Sequence, residues 1–210
     1  MKAATLTRRA MRWGPSAPPE TALNARQLAR RKRVVAAAMD LASRGGYEAV
    51  QMRDVAARAG VALGTLYRYF SSKDHLPAHT WADWSHEIEA HMSRHPLRGT
   101  SRTERIVDFI RRATRALERE PKLASALVKS LLVSDPNAEE PRAEMSAVMV
   151  RVVDDELRGM APEDRVGIRD ILGQVWFANL LLWVNDRMPA ESIYENMTTA
   201  CRLLLAHREA

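Results

Sequence analysis

Apolar residues recur three and four positions apart along most of this chain, and no stretch alternates convincingly, so the pattern predicts an all-α fold. The first helix is expected from Arg30 to Arg44, with Val34, Ala38 and Leu41 as its stripe and Gly45-Gly46 as its end. Gln51 to Ala59 and Leu63 to Phe70 read as two short helices, the first apolar at Met52, Val55, Ala56 and Ala59, the second at Leu66 and Phe70. A fourth helix is expected from a Ser72 N-cap to Arg94, with Trp81, Trp84, Ile88 and Met92 on one face. Pro77 then falls in its second turn, where it should remove a backbone hydrogen bond and bend the axis. Five more follow: Thr103 to Glu120, Pro121 to Ser134, Glu140 to Arg158, Pro162 to Asn185 and Pro189 to His207. The prolines at 121, 162 and 189 suit first turns, where a fixed φ is tolerated.

The two short helices carry the most chemistry. Gly60 stops the first, because it takes a left-handed backbone without steric cost, and Gly60-Val61-Ala62-Leu63 is the short turn of a helix-turn-helix. With Leu66 and Phe70 turned inward, Gly64, Thr65, Tyr67, Arg68 and Tyr69 remain outside. Hydroxyls, a guanidinium and phenol rings there suit phosphate hydrogen bonds and apolar contact with thymine methyls. A short amphipathic helix packed by its aromatics has the same local spacing, so spacing alone leaves both readings open.

Charge adds a direction. Residues 1 to 35 hold nine basic groups against Glu20, a net of +8, which leaves −2 for the rest of a chain whose total is +6. The stretch to about residue 25 has no apolar run and contains Gly14-Pro15-Ser16-Ala17-Pro18-Pro19, so it reads as a disordered arm, either facing nucleic acid or simply solvated. Arg30-Arg31-Lys32-Arg33 opens the first helix, where it would lie beside a phosphate backbone. No apolar run is long enough for a membrane span or a secretory signal, and the single cysteine, Cys201, fits a reducing compartment; a cytoplasmic protein is expected.

From Arg33 to Leu76 the chain resembles, without gaps, the N-terminal domain of TetR-family transcriptional repressors, on Gly45-Gly46-Tyr47, Val55-Ala56, Gly60-Val61, Gly64 to Phe70 and Ser72-Lys73. The resemblance implies nine helices: a three-helix head over residues 28–76, after an arm at 1–27, on a ligand-binding and dimerisation body at 77–210. It implies a double-stranded operator as partner, with contacts from Arg31, Arg33, Gln51, Arg53, Gly64, Thr65, Tyr67, Arg68, Tyr69 and Lys73. It also implies a homodimer through the last two helices, which sets two recognition helices about 34 to 36 Å apart, one DNA turn.

Arg44 to Arg53, the Gly64 to Phe70 string, and Val175-Trp176, Asn179-Leu180-Leu181 and Trp183 are further similar to the members of that family that control cholesterol catabolism in actinobacteria. The implied effector is a sterol-derived acyl-CoA, its phosphates facing basic residues such as Arg102, Arg105, Arg111, Arg112, Arg115 and Arg119; a solvated basic face explains these arginines equally well. Regulation of another lipid or a drug-efflux pathway is the other reading within the family. No cofactor is expected.

Two body features complete the picture. His75, His79, Asp83, Glu87, His91 and His95 form a ladder at every fourth position, read either as a solvated face opposite Trp81 and Trp84 or as metal ligands. Ile171 to Trp183 is apolar on more than one stripe, so this helix must be buried on two sides, one of them against a partner subunit. Met92, Phe109, Leu127, Leu131, Met145, Met149, Trp176 and Trp183 are candidates for a pocket wall, methionines suiting bulky apolar ligands. Asn179 inside the apolar run requires partners, from a ligand, from neighbouring backbone or from its own copy across a dimer. No Ser-His-Asp, Cys-His or paired-carboxylate constellation points to catalysis, and no enzyme activity is expected.

Overall fold

The computed structural model describes residues 23–132 and 139–206, without the side chains of 78, 82–88, 139–142 and 144–145. The arm to residue 22, the linker at 133–138 and the side chains of Asp83, Trp84, Glu87, Ile88 and Met145 therefore lie outside it. Among the described residues there are nine α-helices, one 3-10 turn and no strand.

Helix α1 runs from Ala25 to Gly45, five residues earlier than its apolar stripe indicates. The cause is a capping box: Asn24 accepts from the Gln27 amide at 3.0 Å while the Gln27 side chain accepts from the Asn24 amide at 2.9 Å. A 3-10 turn, Tyr47–Ala49, leads to α2 (Met52–Ala59) and α3 (Leu63–Tyr69). Between them Gly60 is left-handed, at φ 64°. Val61 N–H reaches Ala56 O at 3.0 Å and Gly60 N–H reaches Ala57 O at 3.2 Å, closing the last carbonyls of α2.

Helix α4 spans His75–Arg94, and Ser72 Oγ accepts from the Asp74 and His75 amides just ahead of it. The expected bend at Pro77 is corrected by this start. Pro77 sits in the first turn, whose amides have no intrahelical acceptor, so its missing N–H costs nothing there. Then come α5 (Arg102–Glu118), opened by a Ser101/Glu104 capping box, α6 (Pro121–Ser130), α7 (Glu139–Glu156), α8 (Pro162–Trp183) and α9 (Ala190–Leu205).

Two apolar cores result. The head core gathers Val34, Val35, Ala38, Val55, Leu66 and Phe70, and it also takes Leu76 from α4 and Ala126 from α6. The body core gathers Trp81, Phe109, Ile110, Leu127, Leu157, Leu172, Ile193, Met197 and Cys201, whose buried thiol is pushed up to about 12 by desolvation. Helices α4 and α6 thus belong to both cores. Lys122 Nζ donates to Arg44 O at 2.7 Å, so the start of α6 also holds the end of α1.

Candidate functional site

The second short helix presents a narrow outward strip. Gly64, Tyr67 and Arg68 are exposed and Thr65 half-buried, while Leu66 is buried beneath them. A Cβ added at Gly64 meets nothing within 4 Å, so nothing within the described chain demands a bare backbone there. Arg33 on α1 and Gln51 and Arg53 at the start of α2 are exposed too. Lys73 is more constrained: its ammonium lies 4.0 Å from the Tyr47 ring centroid and 3.9 Å from Glu48, while Tyr47 donates its hydroxyl to Asp74. Burial, that bond and the nearby carboxylates raise the Tyr47 pKa, which keeps the phenol a donor at any physiological pH.

Two residues expected at the surface are not there. Tyr69 is buried in the head core, one helical turn past Leu66, and its hydroxyl has no hydrogen-bond partner among the described residues. Arg31 is also buried. Its guanidinium stands 5.5 Å from the Phe70 ring centroid and donates to His79 Nδ1 at 2.6 Å. Its neighbours in the basic run, Lys32 and Arg33, face solvent, because only every third or fourth position of α1 turns inward.

The histidine ladder divides. His75 and His79, expected on a solvated face, turn inward instead: Nε2 of one lies 3.0 Å from Nε2 of the other, and the Phe70 ring packs edge-on against both. An arginine on the facing helix supplies the polar partner that the pattern of α4 alone does not reveal. Desolvation, then the charge of Arg31 and His75, lowers the His79 pKa to about 3. His91 and His95 stay at the surface, rings stacked 4.4 Å apart.

Between α4, α5, α7 and α8 lies a cavity with two adjoining lobes. The inner, about 280 Å³, is walled by Trp81, Leu131, Met149, Trp176, Phe177 and Leu180. The outer, about 380 Å³, shares Ser146, Met149, Gly173, Trp176 and Phe177 and adds Ile106, Phe109, Ile110, Gln174, Arg169 and Asp170. Both indole N–H groups are occupied within the protein, Trp81 by Leu127 O at 2.8 Å and Trp176 by Thr114 Oγ1 at 3.2 Å, so the rings offer the inner lobe apolar faces.

Of the expected wall residues, Phe109, Leu131, Met149 and Trp176 line this cavity. Met92 and Leu127 are buried in the body core and Trp183 packs against that core, none of them among the residues that wall either lobe. Asn179 is corrected: its amide donates to Val175 O at 2.6 Å and accepts from Asn196 Nδ2 at 2.7 Å, so its polar atoms are partnered inside the subunit. Sequence reading missed Phe177, Gln174 and Arg169. Phe177 follows Gly173 by one helical turn, so both stand on the arc of α8 that faces the cavity.

The arginines proposed for phosphates are largely engaged within the body. Arg112 holds Asp108 at 2.6 Å and the carbonyls of His95 and Pro96, Arg105 bonds Glu156, and Arg111 lies 5.8 Å from the Tyr194 ring centroid.

Two family models match the chain. Residues 34–79 match the bacterial regulatory proteins of the tetR family, and residues 99–204 match the tetracyclin repressor-like C-terminal domain. The HTH-type transcriptional repressor KstR of Mycolicibacterium smegmatis is 36% identical over 187 residues, covering 87% of this chain and 90% of its own length. The chain belongs to the TetR family.

Within that family it is a repressor close to KstR. A TetR transcriptional regulator from Rhodococcus sp. RHA1, 29% identical, superposes with a TM-score of 0.77 over 87% of this chain and 99% of that one. Thermus thermophilus FadR, a TetR-family repressor solved in complex with lauroyl-CoA, shares the fold at TM-score 0.69 and 19% identity, over 86% of this chain and 95% of its own. The all-α expectation holds, with nine α-helices among the described residues, and the head matches the family's N-terminal regulatory domain. No described helix is long and apolar enough to cross a membrane.

Proposed function

We propose that this TetR-family repressor binds a palindromic operator as a dimer and is released by a bulky, largely apolar effector, a sterol-derived acyl-CoA fitting best. The observation that carries the effector reading is the lining of the inner lobe: two tryptophan faces, Met149, Leu131, Leu180 and Phe177 with no free indole N–H among them. Such a wall favours a broad hydrocarbon body over a hydroxylated one, since a buried hydroxyl without a partner is costly. Ser146, which borders both lobes, and Gln174, Arg169 and Asp170 of the outer lobe suit the polar end of an amphipathic thioester. The lauroyl-CoA held by the FadR neighbour supports the class of ligand.

The dimer reading rests on the outer faces of α8 and α9. Ile171, Leu182 and Leu203 are 45%, 44% and 70% exposed, on helices that pack against each other and leave those side chains uncovered. A second copy burying this face would set two heads on successive turns of one DNA face. In that arrangement Gly64, Thr65, Tyr67 and Arg68 enter the major groove and Arg33, Gln51, Arg53 and Lys73 face the backbone. Ligand in the cavity would move α4 through Trp81 and so alter head separation.

The test is an operator selected from random duplex by the protein itself, then titrated with Tyr67→Ala and Arg68→Ala variants. Each should lose at least about tenfold in affinity with the oligomeric state unchanged; protection of the operator at parent affinity would refute the assignment of α3 to the groove.

A further inference from the structure

Buried between head and body is a polar chain that neither the DNA strip nor the cavity uses. It begins at Arg31 on α1, passes through His79 and His75 on α4, and ends near Ser71, whose Oγ lies 3.5 Å from His75 Nδ1. Arg31 and His75 are 8% and 3% exposed, and Phe70 closes the side of the chain with its ring. A guanidinium only donates, and one amino group of Arg31 lies within hydrogen-bond distance of both ring nitrogens of His79, Nδ1 at 2.6 Å and Nε2 at 3.1 Å. His79 Nε2 lies 3.0 Å from His75 Nε2, and His75 Nδ1 accepts from the Ser71 amide at 3.4 Å.

Two residues beyond His79 stands Trp81, in the wall of the inner lobe and tied to α6. One residue after His75 stands Leu76, in the head core. The first turns of α4 therefore hold the chain between what touches the cavity and what touches the head. Apolar packing at Leu76 resists separation of the two parts but tolerates sliding, whereas a buried guanidinium of α1 bonded to one imidazole of α4 has one register.

We propose that Arg31, His79 and His75 are positioning residues for operator binding: they fix the register of α4 against α1 and thereby the separation of the two heads, without touching DNA. This rests on the two-headed reading above. Replacing His79 alone by leucine takes from the buried Arg31 guanidinium the imidazole it donates to and lowers stability, so the informative variant is Arg31→Leu/His79→Leu, which removes the pair. His79→Gln retains an acceptor and a donor and serves as the rescue.

Each protein is titrated with its selected operator and with the same duplex carrying one extra base pair between half-sites, which shifts one half-site by about 3.4 Å and rotates it. The parent and His79→Gln are expected to prefer the unmodified operator by at least about tenfold, and the double variant to bind both within about threefold while melting like the parent. A double variant that keeps the parent's preference overturns the proposal. A parent that binds both duplexes equally refutes the two-headed reading, and the positioning role with it.

Discussion

At the scale of single residues, the head separates what the fold needs from what the partner needs. Gly64 has open space where its Cβ would be and lies inside a helix, where glycine costs roughly 0.5–1 kcal/mol relative to alanine. Gly64→Ala is therefore expected to raise the melting temperature slightly and to weaken operator binding, because the added methyl meets DNA rather than protein; thermal melts and anisotropy titrations on one preparation check both. His79 carries the opposite lesson, since its imidazole is held neutral by burial and by Arg31 with a pKa of about 3 against an ordinary 6.5. Between those values the unfolded chain binds a proton that the folded one refuses, so stability is full above pH 6.5 and falls with acidification. The slope approaches about 1.4 kcal/mol per pH unit for this group. Denaturant midpoints at several pH values should show that contribution in the parent and its absence in His79→Gln.

At the scale of elements, the sequence was most readable where one helix determines its own boundaries. The turn at Gly60 and the helix starts at Pro121 and Pro162 follow from local backbone chemistry, and the structure has them at those residues. Side chains whose surroundings come from another element were misjudged. Arg31 reads as part of a surface run until α4 brings His79 to it, and Asn179, whose partner the sequence leaves open between ligand, nearby backbone and its own copy, is met by Val175 O and by Asn196 on α9. The cavity was legible in kind, through Phe109, Met149 and Trp176, but Phe177 and Gln174 required knowing which arc of α8 faces α7. Helix α8 has a further arc, carrying Ile171, Ala178 and Leu182, that faces outward. Leu182→Arg is expected to give a folded monomer by sedimentation, with unchanged helicity and operator affinity lowered at least about tenfold, because one head replaces two.

At the scale of the whole molecule, cavity, junction and head lie along α4. Trp81 meets the inner lobe, His79 meets Arg31 of α1, and Leu76 enters the head core, so a ligand that displaces Trp81 displaces the base on which α3 is mounted. Moving such a repressor from mostly bound to mostly released requires about 5.5 kcal/mol of differential effector affinity, a quantity within reach of a hydrocarbon body desolvated by two indoles. The measurement that bears most directly on this is an operator titration at fixed physiological salt, with and without a CoA thioester of a steroid acid, its binding to the protein followed in parallel by calorimetry. The expected result is thioester binding accompanied by at least about a tenfold loss of operator affinity, larger than the loss with lauroyl-CoA. Thioester bound with operator affinity unchanged would contradict it.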